Sequence, residues 1–257
     1  MTQSLHPAAA DGFGQAAQLY QQVRPSYPNE VIAWLKQLHL SPDATLVDLG
    51  AGTGKFLPYL MPLNGKIIAV EPIAAMREQL QQQYPQVEIV NAQAEALPFN
   101  DASIDLIVCA QSFHWFANPQ ALQEMHRVLK PQASLVLVWN QRDIAVDWVS
   151  SLAKLIEPLE HGTPRFHDMQ WKQLLDEQDL FKFNQLQLFK NIQHGKVSRV
   201  VSQRLCSTSF IAALPPIQQQ RLVAQFEKII SDYTGKTADD EIDFPYVTHI
   251  YHYVKCH

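Results

Sequence analysis

The residues best suited to chemistry lie in a glycine turn that follows a short apolar segment. Residues 46–49 are Leu-Val-Asp-Leu, and three glycines follow at alternate positions from Gly50 to Gly54. Glycine lets the backbone bend sharply and lets a ligand approach the main chain closely. A second apolar segment, residues 67–70, ends at Glu71, and a carboxylate at a strand end can accept hydrogen bonds from two ribose hydroxyls. This arrangement predicts a nucleoside-binding strand–helix–strand unit.

The spacing of the glycines distinguishes between nucleoside ligands. A dinucleotide-binding turn has its third glycine one position later, where Lys55 stands. A phosphate-binding P-loop has four residues between its glycines, then Lys and Ser or Thr, whereas Gly50 and Gly54 are separated by three residues and Phe56 follows Lys55. Asp48 beside the turn would repel a pyrophosphate. It suits a ligand with an ammonium and a sulfonium group, and S-adenosylmethionine (SAM) is such a ligand.

Over roughly residues 45–140 the chain resembles a class I SAM-dependent methyltransferase of the methyltransferase-type-11 group. Besides the turn, the resemblance rests on residues 70–72 (Val-Glu-Pro), 92–99 (Ala-Gln-Ala-Glu-Ala-Leu-Pro-Phe), 101–108 and 127–131 (Arg-Val-Leu-Lys-Pro), in the order typical of the family. The resemblance implies an α/β Rossmann-like fold. Its sheet is expected to have seven mostly parallel strands with an antiparallel last strand, and a helical lid is expected over the site.

The same resemblance implies which residues bind SAM. They lie in the turn and at the ends of the following strands: Asp48, Gly50, Ala51, Gly52, Gly54, Glu71, Pro72, Gln93, Ala94, Glu95 and Gln111. Glu71 is expected on the ribose, and the segment after the third strand is expected on the adenine. Many members of the family have Asp where Gln93 stands. The amide oxygen of Gln93 can still accept a hydrogen bond from the adenine amino group.

His114 is the candidate catalytic residue. It stands between Phe113 and Trp115 after the fourth predicted strand, and enzymes resembling trans-aconitate methyltransferase have a similar His-Trp pair there. A carboxylate acceptor needs only orientation, whereas an alcohol or a protonated amine also needs a base. We predict that His114 and Trp115 line the acceptor pocket and that His114 takes part in catalysis. An equally weighted alternative is that His114 only satisfies backbone groups.

A second cluster, residues 20–28, resembles the entry motif of the same subgroup. Tyr20 and Arg24 are predicted to contact substrate, and Arg24 could bind a carboxylate of SAM or of an acidic acceptor through paired hydrogen bonds. A proline-rich loop with a surface arginine is the alternative. Residues 207–210 (Ser-Thr-Ser-Phe) resemble a segment that faces substrate in this subgroup. Capping of the next helix by one of its serines is the explanation that we prefer.

Strands and helices alternate along the first half of the chain. Strands are predicted at 45–49, 66–71, 87–91, 104–110 and 134–139, and helices at 73–83 and 119–129, preceded by a helix that Pro28 opens. Such alternation predicts a parallel sheet with ligands at the carboxyl ends of its strands. Phe183–Phe189 and Tyr246–Val254 alternate in polarity and predict two late strands, which the resemblance implies form an antiparallel hairpin at one edge.

Length and composition bound the remaining possibilities. The 257 residues predict a single domain, 1–257, with a core of about 42–140, 183–191 and 246–254 and a helical cap from about 1–40, 143–181 and 197–240. The net charge of −5 provides no general attraction for nucleic acid. Three scattered cysteines predict neither a disulfide framework nor a metal site. No segment has the features of a signal peptide or a membrane span, so we expect a cytoplasmic protein. The sequence leaves its oligomeric state open.

The leading hypothesis is a SAM-dependent methyltransferase that acts on a small molecule, at an oxygen of a carboxylic acid. The nearest alternatives are a hydroxyl or amine acceptor with His114 as the base, and a catalytically silent SAM-binding protein that regulates a partner. A nucleotide-dependent oxidoreductase is disfavoured by Asp48 and by the glycine spacing. Methylation of nucleic acid or protein is disfavoured by the acidic charge balance.

Overall fold

The protein is described by a computed structural model over residues 22–160 and 162–256. Its strands are β1 Thr45–Leu49, β2 Lys66–Val70, β3 Glu88–Val90, β4 Ile104–Ala110, β5 Leu129–Arg142, β6 Phe181–Lys196 and β7 Glu241–Lys255. They form one seven-stranded sheet in the order β3-β2-β1-β4-β5-β7-β6. The pairs β1–β2, β2–β3, β1–β4 and β4–β5 are parallel. The prediction of a mostly parallel sheet with an antiparallel last strand is confirmed.

The helices of the described residues lie before β1 and between the later strands. They are α1 Glu30–Lys36, α2 Leu57–Leu60, α3 Ala74–Gln83, α4 Pro119–Val128, α5 Asp147–Ile156, α6 Gln170–Asp176, α7 Arg204–Cys206, α8 Ser209–Ala212 and α9 Pro216–Thr234. Short 3-10 turns occur at Met61–Leu63, Phe113–Trp115 and Glu157–Leu159, and a π-helical segment covers Ser198–Gln203. Local signals explain some boundaries: Asn118 caps α4 through Ala121 N–H, and left-handed Gly235 follows α9.

The order of the strands defines where a ligand can bind. The chain passes from β1 outward to β2 and β3, and then returns to place β4 on the other side of β1. At such a reversal the loops at the carboxyl ends of β1 and β4 diverge, which leaves a crevice. The inner strands are apolar on both faces, with Leu46, Val47, Leu106 and Ile107 fully buried, as parallel strands covered on both sides require.

The last three strands are longer than the sequence predicts. The apolar run at 134–139 is the centre of β5, which begins at Leu129 and ends at Arg142, and β6 and β7 likewise extend past Phe183–Phe189 and Tyr246–Val254. In β6 the added residues 190–196 alternate between exposed and half-buried positions, and in β7 the added residues 241–244 alternate between exposed and buried ones. Their polar side chains weaken the apolar signal without breaking the strand. The strands β6 and β7 are neighbours, but residues 197–240 join them in place of a tight turn.

The described residues divide into two compact units. Residues 27–139, 164–189 and 248–256 form the first, here called the core unit, and residues 22–26, 140–160, 162–163 and 190–247 form the second, here called the helical unit. Two helices from segments predicted as cap belong to the core unit. In α1, Trp34 and Leu35 pack with Leu46, and in α6, Trp171 packs with Trp139. Because the apolar faces of α1 and α6 are buried against strands, these two helices belong to the core unit and are removed from the predicted cap.

The helical unit has its own hydrophobic cluster. It includes Val149 and Leu152 of α5, Phe226 and Ile230 of α9, and Phe244 near the start of β7. Nowhere in residues 22–160 and 162–256 is a helix long and apolar enough to cross a membrane. Over the same residues, no cluster of His, Cys, Asp and Glu could hold a metal ion.

Candidate functional site

The turn that follows β1 is held against the end of β2. The backbone N–H groups of Gly50 and Ala51 both donate to the carbonyl oxygen of Val70, at 2.8 and 3.1 Å. Gly50, Gly52 and Gly54 have φ angles of +71°, +58° and +83°, in the left-handed region that residues with a Cβ rarely adopt. The backbone path that brings the turn to the crevice therefore depends on glycine at all three positions.

The surroundings of the glycines distinguish their roles. A Cβ on Gly50 would lie 2.6 Å from the Cβ of Ser112, and one on Gly54 would lie 2.9 Å from Cε2 of Tyr84. A Cβ on Gly52 would meet no atom of the described residues within 4 Å. Packing within the protein thus requires glycine at the first and third positions. At Gly52 the backbone borders open space, which suits the close approach of a ligand.

Glu71 is fixed in place at the end of β2. Its Oε2 accepts a hydrogen bond from Gly52 N–H, and its Oε1 accepts one from Ile73 N–H, each at 2.8 Å. Burial raises the pKa of Glu71, while these two bonds and the nearby Arg77 oppose the rise. A carboxylate has about four acceptor positions, so two remain for ribose hydroxyls. The predicted ribose contact is compatible with this arrangement, and the same bonds tie Glu71 to the turn.

Asp48 is a buried carboxyl group without a partner. It is fully buried in β1, and neither of its oxygens has a hydrogen-bond partner in the described parts of the chain. Burial, and then the nearby charge of Glu71, raise its pKa from 3.8 to about 7. Such a group is stabilised in its charged form by a nearby positive charge. The orphaned carboxyl and the open space at Gly52 therefore fit a nucleoside that carries an ammonium group.

The predicted adenine segment follows β3 and is tied to the next helix. Ala94 is buried, and the carboxylate of Glu95 accepts a hydrogen bond from Nδ2 of Asn118 at 2.7 Å. Because Asn118 also caps α4, Glu95 joins this loop to the start of that helix. Gln93 and, after β2, Pro72 are half-buried at the same edge of the sheet. Direct contact of these four predicted residues with the cofactor stays a prediction.

The loop after β4 is anchored to strands on both sides. Gln111 N–H donates to the carbonyl of Val138 in β5 at 2.8 Å, and the Ser112 hydroxyl donates to the carbonyl of Leu49 in β1 at 2.8 Å. Gln111 has a φ of +59°, an unfavourable conformation for a residue with a side chain. Backbone strain of this kind is often found at functional sites, and here it lies where the crevice opens.

His114 lies in the 3-10 turn that follows this loop, and its Nδ1 accepts a hydrogen bond. The indole Nε1–H of Trp139 donates to Nδ1 of His114 at 3.2 Å. A neutral imidazole carries one proton, so an accepting Nδ1 places that proton on Nε2. The ring of Trp115 lies 5.1 Å from the His114 ring, centroid to centroid. In this tautomer His114 is a hydrogen-bond donor at Nε2, whereas a base would need a lone pair there.

Aromatic rings pack behind His114 in the core unit. Phe113, Trp139 and Trp171 are all fully buried. The ring centroids of Trp139 and Trp171 are 4.5 Å apart, and those of Phe113 and Trp171 are 6.4 Å apart. These rings give His114 a rigid apolar support and keep water from the Trp139 side of its imidazole.

The structure places Arg24 in the helical unit, on Ser207. Its Nε donates to the Ser207 hydroxyl at 3.1 Å, and its Nη2 donates to the Ser207 carbonyl at 2.7 Å. The contact with a carboxylate therefore stays a prediction, and Tyr20 lies outside the described residues. The serine-cap hypothesis is wrong: Ser207 donates to the Arg204 carbonyl at 2.7 Å, and Thr208 precedes α8 without a side-chain capping bond.

Sequence reasoning missed two residues. Trp139 was predicted only as part of a strand, yet its N–H sets the tautomer of His114. Arg204 is only 7% exposed, and its Nε and Nη1 have no partner in residues 22–160 and 162–256. One signal for Arg204 was available: Val197, Val201 and Arg204 recur at intervals of four and three, the spacing of one helical face.

Comparison with known proteins identifies the family of this chain. The profile of the methyltransferase domain family matches residues 47–137, which include the glycine turn, Glu71 and His114. An uncharacterized methyltransferase-like protein of Schizosaccharomyces pombe is 32% identical over 231 residues, which cover 89% of this chain and 90% of that protein. The chain belongs to this methyltransferase family. The methyltransferase is therefore class I and SAM-dependent, and the predicted family, enzyme class and cofactor are confirmed.

Solved structures support the fold of the methyltransferase. A proposed type II methyltransferase from Anaeromyxobacter dehalogenans aligns with a TM-score of 0.68 at 20% identity, over 90% of this chain and 97% of that one. Phospholethanolamine N-methyltransferase 2 from Haemonchus contortus aligns with a TM-score of 0.58 at 13% identity, over 100% of this chain and 61% of that one. The latter was solved with phosphomonomethylethanolamine and S-adenosylhomocysteine. At these identities the likeness concerns the fold alone.

Proposed function

We propose that this methyltransferase transfers the methyl group of SAM to a carboxylate oxygen of a small organic acid. The observation that carries the proposal is the hydrogen bond from Trp139 Nε1–H to His114 Nδ1. It leaves His114 with a proton on Nε2, and that N–H can hold one oxygen of a carboxylate while the other oxygen reacts. An ionised carboxylate is already a nucleophile, so this acceptor needs orientation and no base.

The same bond disfavours an alcohol or amine acceptor. For His114 to act as a base at Nε2, its proton would have to move to Nδ1, which would break the bond from Trp139. The indole N–H of Trp139 is fully buried, and leaving a buried donor unsatisfied costs about 1–3 kcal/mol. If His114 acted as a base, this cost would add to the activation barrier of every catalytic cycle.

The cofactor half of the proposal rests on the turn and the two acidic residues beside it. Bound SAM supplies an electrophilic methyl group on a positively charged sulfur. Gly52 leaves room for the ligand at the main chain, Glu71 offers its remaining acceptor positions to ribose hydroxyls, and Asp48 provides negative charge for the ammonium group. The net charge of −5 supports a small molecule over a nucleic acid, because a polyanion would be repelled.

Product analysis tests the proposal. The purified protein is incubated with methyl-labelled SAM and a panel of small acids, each beside the corresponding alcohol and amine. We expect label in a product that mild alkali hydrolyses to labelled methanol, as a methyl ester requires. Label that survives alkali would contradict the proposal and favour a hydroxyl or amine acceptor. Binding of SAM without formation of S-adenosylhomocysteine from any acceptor would favour the silent regulatory protein instead.

A further inference from the structure

Three polar side chains close in sequence in the helical unit have buried atoms without partners among the described residues. Arg204 is 7% exposed, and its Nε and Nη1 have no hydrogen-bond partner within the described chain. The hydroxyls of Thr208 and Ser209, whose residues are 1% and 2% exposed, also lack partners there. A buried charge is costly unless an opposite charge or several hydrogen bonds compensate it. The cluster therefore has the donors of a binding site and needs an acceptor.

The backbone brings Arg204 and Thr208 together, and Ser209 directly follows Thr208 in the chain. Arg204 begins α7, which continues directly from the π-helical segment Ser198–Gln203. Ser207 N–H donates to the Gln203 carbonyl at 2.9 Å, and Thr208 N–H donates to the Leu205 carbonyl at 3.0 Å. The helical turn thus persists to Thr208. Residues four apart on a helix share a face, so Arg204 and Thr208 share one side of this turn.

A second positive charge is held at the same segment. The Arg24 guanidinium donates to the hydroxyl and the carbonyl of Ser207, at 3.1 and 2.7 Å. The carboxylate of Glu227, on α9, accepts a hydrogen bond from Ser202 at 3.1 Å, so this acidic side chain has a partner other than Arg204. Two guanidinium groups and two hydroxyls at one short segment favour an anion.

We propose that Arg204, with the hydroxyls of Thr208 and Ser209, binds the carboxylate group of a small organic acid within the helical unit. One carboxylate matches the single charge of the buried guanidinium, and guanidinium–carboxylate hydrogen bonds are among the stronger ones in proteins. Leu205, Phe210 and Ile211 are buried around this segment, and they suit the apolar body of an organic acid better than a strongly hydrated inorganic anion. This proposal does not rest on the proposed methyl transfer.

Calorimetry tests the site with acetate, succinate and benzoate as probes, each beside its uncharged amide. We compare the wild type with Arg204→Met and Thr208→Val, and Arg221→Met is the control because Arg221 is an exposed arginine of the same unit on α9. We expect saturable binding of at least one acid by the wild type and the control. Binding should weaken at least tenfold in Arg204→Met and several-fold in Thr208→Val. No binding of any acid, or equal binding by Arg204→Met, would overturn the proposal.

Thermal unfolding distinguishes a ligand site from a structural arginine. Arg204→Met removes a buried charge without a partner, so without acid this variant should unfold at a temperature no lower than the wild type. The acid that binds should raise the unfolding temperature of the wild type and leave that of the variant unchanged. An unstable or unfolded Arg204→Met would show that Arg204 is needed structurally, and it too would overturn the proposal. The SAM affinity of the same variants should equal that of the wild type. A failure of the methyltransferase proposal can therefore be distinguished from a failure of this site.

Discussion

Replacement of Asp48 by Asn should change how the stability of the protein depends on pH. Burial and the charge of Glu71 raise the pKa of Asp48 from 3.8 to about 7 in the folded protein. A raised carboxyl pKa means that the folded state holds its proton more tightly than the unfolded chain. The contribution of protonated Asp48 to the free energy of unfolding is therefore fully present below about pH 4. It is lost as the pH rises to about 7. This difference in pKa corresponds to about 4 kcal/mol.

Urea unfolding of the wild type and Asp48→Asn measures this difference directly. Asn cannot ionise, so its side chain does not become charged inside the protein at neutral pH. We expect the two proteins to differ little at about pH 4 and the variant to gain up to about 4 kcal/mol relative to the wild type at pH 8. Exposed Asp43→Asn is the control and should show no such trend. A difference in the free energy of unfolding that is constant from pH 4 to 8 would show that the pKa of Asp48 is not raised in the folded protein.

The same variant tests whether Asp48 serves the cofactor. The ammonium group of SAM would supply the positive charge that the buried carboxylate lacks. A hydrogen bond to a charged group contributes about 1.5–3 kcal/mol, so Asp48→Asn should weaken SAM binding by about 10-fold to 100-fold in calorimetry. The variant would then be more stable than the wild type without ligand and bind the cofactor less well. SAM affinity equal to that of the wild type would show that the buried carboxyl does not interact with the cofactor.

Three further predictions concern the turn and the acceptor side. Gly52→Ala should fold with a loss of about 1–2 kcal/mol, because its φ of +58° disfavours a side chain while its Cβ meets no described atom within 4 Å, and it should bind SAM at least tenfold more weakly in calorimetry. Gly50→Ala has the same strain of a positive φ, and its Cβ would also lie 2.6 Å from the Cβ of Ser112, so it should lose more stability in thermal unfolding. SAM binding by Gly52→Ala equal to that of the wild type would contradict the site. His114→Gln keeps a donor near Nε2 and should retain a kcat within about tenfold of the wild type, whereas His114→Ala should lose about 100-fold in kcat. An equal loss of kcat in the two variants would indicate that His114 acts as a base. Trp139→Phe keeps the aromatic packing but removes the N–H, so kcat should fall about tenfold and the pH profile should change. An unchanged pH profile of kcat would show that Trp139 does not influence the reaction through His114.

The parts of the fold and site that depend on nearby residues could be predicted from the sequence. The turn and Glu71 combine a glycine pattern with two apolar segments, and each of these signals is complete within a few residues. The first four strands were predicted within two residues of their observed ends because their buried residues form short uninterrupted runs. The lengths of β5, β6 and β7 were underestimated, since many residues in their outer parts are polar and carry a weaker apolar signal.

The parts that depend on distant partners could not be predicted. The tautomer of His114 is set by Trp139, which is 25 residues further along the chain. Arg24 donates to Ser207, at a separation of 183 residues, and neither of the two local motifs indicates this contact. The burial of Arg204 results from the packing of the helical unit, and periodicity indicates only which face it occupies. Local patterns thus indicate the proposed cofactor site, while the proposed chemistry of the acceptor side depends on long-range contacts.

We propose that the site presents the Nε2–H donor of His114, and no base among the described residues, to a carboxylate oxygen of the acceptor. The most direct measurement is NMR of the product formed from SAM with an isotope-labelled methyl group, because the chemical shift identifies the atom that carries the label. We expect the signal of a methyl ester, which disappears after mild alkali. A methyl ether or an N-methyl signal from the preferred acceptor would contradict the proposal.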